Sequence, residues 1–170
     1  MSKYTLPYFG EIDSSNLKEY YNVEIILNER KIRIDLNFEN NSINQDNINT
    51  IKTFLEEIEK YNSQNKSYLK SDMEEGNGET SEYLNFYFDE FEDDELSKII
   101  NSNDTESSKE ILLFNQLKLN RIGIYPDGKY NTDYYAVFDY SIDIDNEPCD
   151  QLLVVKTNHK GELDHIAWES

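Results

Sequence analysis

The chain has 170 residues, of which 35 are Asp or Glu and 16 are Lys or Arg, for a formal net charge of −19. A charge of this size bears on partners and solubility more than on the fold. It disfavours binding to nucleic acid and to anionic lipid, because binding to both depends on basic groups that neutralise phosphate. We therefore expect no nucleic-acid partner and no membrane partner.

Length and cysteine content predict one domain over residues 1–170. A chain of this length buries roughly 70% of its unfolded surface, which is enough for a core without a metal or a disulfide. Cys149 is the only cysteine, which favours a reducing compartment. The N-terminus has no apolar signal segment, and no apolar run reaches the ~20 residues of a membrane span. These observations predict a cytoplasmic protein.

The first third of the chain is predicted to be β-structure. Tyr4–Phe9 contains Pro7 and fits an edge strand or a loop. Asn22–Leu27 and Lys31–Phe38 follow, and apolar residues alternate with polar ones in the second run. The polar connector 28–30 predicts a hairpin, although it lacks the glycine that would fix the turn type.

The middle is predicted to be helical, with a break at Gly76–Gly78. Before the break, Ile48, Ile51, Leu55 and Ile58 recur at helical spacing, and the pattern extends to Met73. Ser42 or Asn44 is the predicted N-cap, with Gln45 completing a capping box with Ser42. A second helix is predicted over Ser81–Ile100. The polar stretch Asn101–Ser108 predicts a loop.

The last third is again predicted to be β-structure. The candidate strands are Leu117–Tyr125, Tyr134–Ile142, Gln151–Thr157 and Leu163–Trp168. Strands, a helical block and strands again indicate an α+β fold. We predict an antiparallel sheet, made from the N-terminal hairpin and a C-terminal four-strand meander, with the helical block packed on one face.

Acidic residues are densest between Asp72 and Glu106, where there are thirteen carboxylates and one base, Lys98. The second predicted helix carries an acidic face that we predict to bind a basic protein. Its residues are Glu82, Asp89, Glu90, Glu92, Asp93, Asp94 and Glu95. Carboxylates three and four residues apart repel each other, so this helix must be held by packing.

Aromatic residues interleave with these acids. They pack in the helix core on one interpretation. On the other, Tyr83, Phe86 and Tyr87 form an exposed aromatic anchor rimmed by acids, as at a protein-binding hot spot.

Signatures of catalysis are weak. We predict no catalytic residue and no cofactor, since the chain has no phosphate-binding glycine loop, nucleophile elbow or zinc motif. His159 falls in a predicted turn. Asp164 and His165 are strand neighbours that point to opposite faces unless a bulge intervenes. Asp139, Asp143 and Asp145 alternate along a strand and its exit turn, which makes them candidates for a weak Mg²⁺ or Ca²⁺ site.

Arg121 lies among apolar strand residues. A half-buried guanidinium there needs a carboxylate partner, and Asp35 and Asp139 are the candidates. A structural Arg–Asp pair is the ordinary interpretation, and an anion-binding pocket is the alternative.

Several segments resemble a bacterial family catalogued as domain of unknown function two thousand and four. They are Leu6–Glu11, Arg121–Pro126, Ala136–Tyr140, Leu152–Lys156 and Gly161–Asp164. The resemblance implies one domain whose two β ends share a sheet. It implies no activity.

The sequence thus favours a non-enzymatic binding protein that engages a basic partner, with a toxin-immunity protein as the most concrete version. Two alternatives stay open. One is a housekeeping or structural domain with no specific partner, and the other is a weak metal-dependent hydrolase.

Overall fold

The computed structural model of the protein describes residues 2–170. Nine strands are found there: β1 (Lys3–Leu6), β2 (Gly10–Asp13), β3 (Tyr20–Leu27), β4 (Arg30–Asn37), β5 (Leu117–Ile124), β6 (Ala136–Ile144), β7 (Glu147–Pro148), β8 (Leu152–Thr157) and β9 (Leu163–Glu169). The helices of the same residues are α1 (Gln45–Glu56), α2 (Ile58–Glu75), α3 (Glu79–Glu90), α4 (Asp93–Ile100) and α5 (Lys109–Phe114).

A seven-stranded sheet organises the fold, in the order β3-β4-β5-β6-β8-β9, with β7 paired to β6. β1 and β2 form a separate two-stranded sheet. The predicted α+β class, the N-terminal hairpin β3–β4 and the C-terminal meander are confirmed. The short β1–β2 hairpin replaces the single edge strand or loop that Pro7 suggested.

One pair of strands, β4 and β5, is parallel, and this pair joins the hairpin to the meander. The antiparallel prediction did not include it. The chain between these strands, residues 38–116, carries all five α-helices of the described chain. Such a crossover is what a parallel pair requires. In the paired register, Arg33 lies beside Arg121 and Asp35 beside Gly123.

The β3–β4 turn needs no glycine. Asn28 and Glu29 both have positive φ, at 51° and 65°, and Leu27 pairs directly with Arg30. A two-residue turn with two left-handed residues is type I′, which matches the twist of the strands that it joins. Asn tolerates this conformation better than most residues, so the sequence supplies part of the signal.

The helices begin and end close to the predicted caps and the predicted break, and two further breaks divide them. Asn44 caps α1, its side chain accepting from the amide of Asn47 at 2.8 Å, whereas Ser42 makes no cap. The first predicted helix is interrupted at Glu57, and α2 ends at Glu75, followed by its C-cap Gly76, where φ is 82°. The second predicted helix is divided at residues 91–92 into α3 and α4. The sequence did not predict α5.

The two faces of the main sheet differ. Ile34, Leu36 and Phe138 are completely buried and belong to the core that the helices cover. Because side chains alternate along a strand, Asp35 and Asp139 project to the other face. This second face is where the sheet holds its buried charges. No helix among residues 2–170 has the length and apolar character to span a membrane.

Candidate functional site

The predicted acidic face lies on α3, α4 and the break between them. All seven of its carboxylate residues are exposed: Glu82, Asp89, Glu90, Glu92, Asp93, Asp94 and Glu95. Among the described residues, only Asp93 of this set has a basic side chain within 4.0 Å, which is Lys109 at 3.7 Å. The negative charge of this surface is therefore largely uncompensated.

The acids of α4 also stabilise their own helix. Asp93, Asp94 and Glu95 occupy the first turn, where the positive end of the helix dipole favours carboxylates. Glu95 additionally accepts a hydrogen bond from the backbone amide of Glu92 at 3.2 Å. A structural role thus accounts for much of this group.

The acids at the end of α3 have no such explanation. Asp89 and Glu90 are the last residues of α3, and no basic residue lies in that turn. Carboxylates at a helix C-terminus are opposed by the dipole, typically by 0.3–1 kcal/mol each. Their presence there costs local stability, which makes them the strongest functional candidates on the acidic face.

Packing holds α3 in place, as the repulsion between its acids requires. Tyr83, Leu84 and Tyr87 are completely buried. The hydroxyls of the two tyrosines lie 2.8 Å apart, and that of Tyr83 donates to the carbonyl of Gln151 at 2.8 Å. The Tyr87 hydroxyl lies 2.9 Å from Sγ of Cys149.

The aromatic-anchor prediction is therefore wrong. Tyr83 and Tyr87 are core residues, and burial raises the pKa of both phenols. Phe86 is half-buried and packs edge-on against Trp168, with ring centroids 5.6 Å apart. The helical pattern alone could not show which aromatic residues β9 would cover.

A cleft of about 580 Å³ opens beside the acidic face, between α4 and the β6–β7 turn. Carboxylates and bases share its walls: Glu95, Asp143, Asp145, Lys98 and Lys118, with Phe91, Ile99 and Ile144 among the apolar residues. The cleft is therefore continuous with the acidic face, but its own walls carry both negative and positive side chains.

The three aspartates proposed as metal ligands are engaged separately. Asp139 is buried and accepts a hydrogen bond from Arg121 at 3.3 Å. Asp143 is held by Arg30 through two bonds of 2.8 Å. Asp145 is exposed in a turn with φ of 54°. No cluster of three or more metal-binding side chains is present among residues 2–170, so the structure does not support this site.

Arg121 has both of its predicted partners. Its Nε and Nη2 donate to the two oxygens of Asp35, at 2.7 and 2.9 Å, and Nη1 donates to Asp139 at 3.3 Å. The side-chain amide of Asn37 donates to Asp35 at 2.7 Å, and Nη2 of Arg121 also donates to the Tyr125 hydroxyl at 3.1 Å. All three guanidinium nitrogens are thus engaged, as expected of a structural pair.

Two effects within this cluster shift the pKa of Asp139 in opposite directions. Burial raises the pKa of its carboxyl group, and the charge of Arg121 partly offsets that effect. The cluster compensates buried charge.

The histidines show one departure from expectation. Asp164 and His165 are bonded, with 2.6 Å between Oδ1 and Nδ1, although strand neighbours normally point apart. A register shift in the β8–β9 pairing, where Thr157 pairs with Leu163, leaves Asp164 out of the ladder and allows the contact. Both side chains are exposed.

Comparison of the chain with protein-family models, curated proteins and solved structures gives no match. The resemblance to the bacterial family named above stays a prediction.

Proposed function

We propose that this is a non-enzymatic binding protein of the bacterial cytoplasm, whose acidic face on α3 and α4 engages a basic protein. The single observation that carries the proposal is the placement of Asp89 and Glu90. They are exposed, lack a basic partner within 4.0 Å among the described residues, and occupy a helix end that disfavours them.

The narrower version of the proposal is a toxin-immunity protein that masks a cationic toxin such as a nuclease. Its support is electrostatic. A net charge of −19 with an uncompensated patch would accelerate association with a cationic partner and would make that association sensitive to salt.

The experiment begins with capture of partners from the native cell's lysate near 0.15 M salt, followed by purification of the captured protein. Its association rate is then measured with the double variant Asp89→Lys/Glu90→Lys. We expect the rate to fall at least tenfold, and the salt dependence of the remaining rate to become weaker. These two positions are preferable to the first turn of α4, where lysine would also destabilise the helix.

The matched control is Glu11→Lys/Glu39→Lys. It changes the net charge by the same amount at exposed positions outside α3 and α4. An equal loss in both variants would show that only total charge matters. Failure to capture any basic protein would favour a domain without a specific partner.

A further inference from the structure

A second cavity, of about 450 Å³ and widely open to solvent, lies where the β8–β9 turn meets α1 and α2. Three segments line it: Asn49, Thr50 and Thr53 from α1, Lys60 and Tyr61 from α2, and His159 and Lys160 from the turn. The volume is in the range of pockets that hold small molecules.

The lining contains no carboxylate, and each of its side chains can donate a hydrogen bond. One of these donors is already in use, because the Thr50 hydroxyl donates to the backbone carbonyl of Asp46 at 3.0 Å. This composition is unexpected in a chain with 35 acids and 16 bases. Lys60 and Lys160 are both exposed, and among residues 2–170 neither has a carboxylate within 4.0 Å. Two uncompensated ammonium groups therefore share one cavity.

The turn is held against the helix by specific contacts. Gly161 has a φ of 77°, and a Cβ atom there would lie 2.3 Å from the ring of Tyr61. The hydroxyl of Tyr68 donates to the carbonyl of Gly161 at 3.1 Å. Within the turn, Asn158 accepts from the amides of Lys160 and Glu162 at 2.9 and 3.0 Å. The basic residues of the turn are thus preorganised opposite α1.

The neighbouring acid lies outside this lining. Glu57 precedes α2. Burial raises the pKa of Tyr61, and the negative charge of Glu57 raises it further, to a smaller extent. Glu162 is occupied by the side-chain amide of Asn158 at 3.0 Å. Neither carboxylate is part of the cavity wall.

We propose that this cavity binds the phosphate group of a small phosphorylated molecule. A phosphate group presents acceptor oxygens in several directions, and the donors that line the cavity come from three segments of the chain. Two ammonium groups match its double negative charge near neutral pH. The cavity exceeds the size of phosphate alone and leaves room for the organic part of a monoester. The net charge of −19 disfavours a nucleic acid or an anionic membrane as the source of the phosphate.

The test is a titration of the 170-residue protein with inorganic phosphate at pH 7 and constant ionic strength, monitored through backbone amide chemical shifts. We expect saturable shifts confined to residues 49–61 and 158–161. Acetate and chloride at the same ionic strength should not reproduce them. Equal shifts with acetate or chloride, or shifts spread over the whole chain, would overturn the proposal.

Two double variants, each of which removes two positive charges, distinguish binding in the cavity from a general effect of net charge. Lys60→Gln/Lys160→Gln should weaken phosphate binding at least tenfold. Lys52→Gln/Lys70→Gln removes one exposed lysine from α1 and one from α2, both outside the cavity lining, and should leave the affinity unchanged. Similar affinities for the two variants would contradict a site built around Lys60 and Lys160.

Discussion

Arg121 and Asp35 form a bidentate ion pair on the face of the sheet that the helices leave uncovered, with N–O distances of 2.7 and 2.9 Å. The Asp35 side chain is 0% exposed and that of Arg121 is 23% exposed. A charge buried to this extent depends on its partner, because the energy of removing it from water is compensated only by the pair. The pair also connects β4 to β5 across the parallel junction.

Removing one partner should therefore be costly. We expect Arg121→Met to lower the free energy of unfolding by about 3–5 kcal/mol, because Asp35 would stay buried without compensation. The measurement is urea denaturation at pH 7. Arg33→Met is the control, since Arg33 is half exposed and its Nε lies 3.8 Å from Asp35; its cost should be under ~1 kcal/mol. Equal costs would mean that Asp35 does not depend on Arg121.

Gly123 should be needed for the position of the guanidinium. A Cβ atom at Gly123 would lie 2.5 Å from Nη2 of Arg121. We expect Gly123→Ala to destabilise the protein by about 1–3 kcal/mol through overpacking. In an Arg121→Ala background the same change should cost less, because the closest group is gone and only Oδ2 of Asp35, at 3.3 Å, remains close to the added Cβ. Additive effects in denaturation experiments would refute this account.

Two tyrosines offer a matched comparison of hydroxyl groups, that of the buried Tyr140 and the buried hydroxyl of the partly buried Tyr135. The hydroxyl of Tyr140 donates to Asn62 at 2.6 Å, whereas that of Tyr135 is buried without a partner among the described residues. We expect Tyr140→Phe to cost about 0.5–1.5 kcal/mol, since a hydrogen bond is lost. Tyr135→Phe should be neutral or stabilising by up to ~1 kcal/mol. Thermal denaturation of both variants tests the ranking, and a larger loss for Tyr135→Phe would contradict it.

Lys66 should make stability depend on pH in the alkaline range. Its Nζ donates to the carbonyl of Leu117 at 2.6 Å, and burial lowers its pKa to about 8 from 10.5. Between these two values the unfolded chain holds the proton more tightly than the folded protein. Stability relative to Lys66→Met should therefore rise as pH increases from 8 to 10.5, and fall as pH decreases through 8.

The difference in unfolding free energy between wild type and Lys66→Met, measured across that range, gives this contribution directly. Contributions from other titrating groups cancel in the difference. A flat difference would show that Lys66 remains protonated without penalty in the folded state.

The sequence predicted the features that local pattern or charge compensation controls. Arg121 could be matched to Asp35 and Asp139 because a cation in an apolar strand requires a carboxylate. The end of α2 at Gly76 could be predicted from its glycine. The break at residues 91–92 could not, because apolar residues continue at helical spacing from α3 into α4.

Long-range placement escaped prediction for a different reason. Period-two alternation is the same in parallel and antiparallel strands, so nothing in β4 or β5 indicates their direction. The candidate phosphate cavity draws on residues 49–53, 60–61 and 159–160, which are separated by more than a hundred positions at the extremes and share no motif. Only the folded chain brings their donors together.

The parallel junction between β4 and β5 also has a kinetic consequence. It pairs residues 33–36 with residues 121–124. The sheet is therefore complete only when the two ends of the intervening segment, residues 38–116, have come together. The hairpin β3–β4 and the meander that starts at β5 need only short-range contacts, whereas their junction must overcome a large closure entropy. We expect the two halves of the sheet to form early and to join late, which makes the docking of β4 onto β5 the slow step of folding.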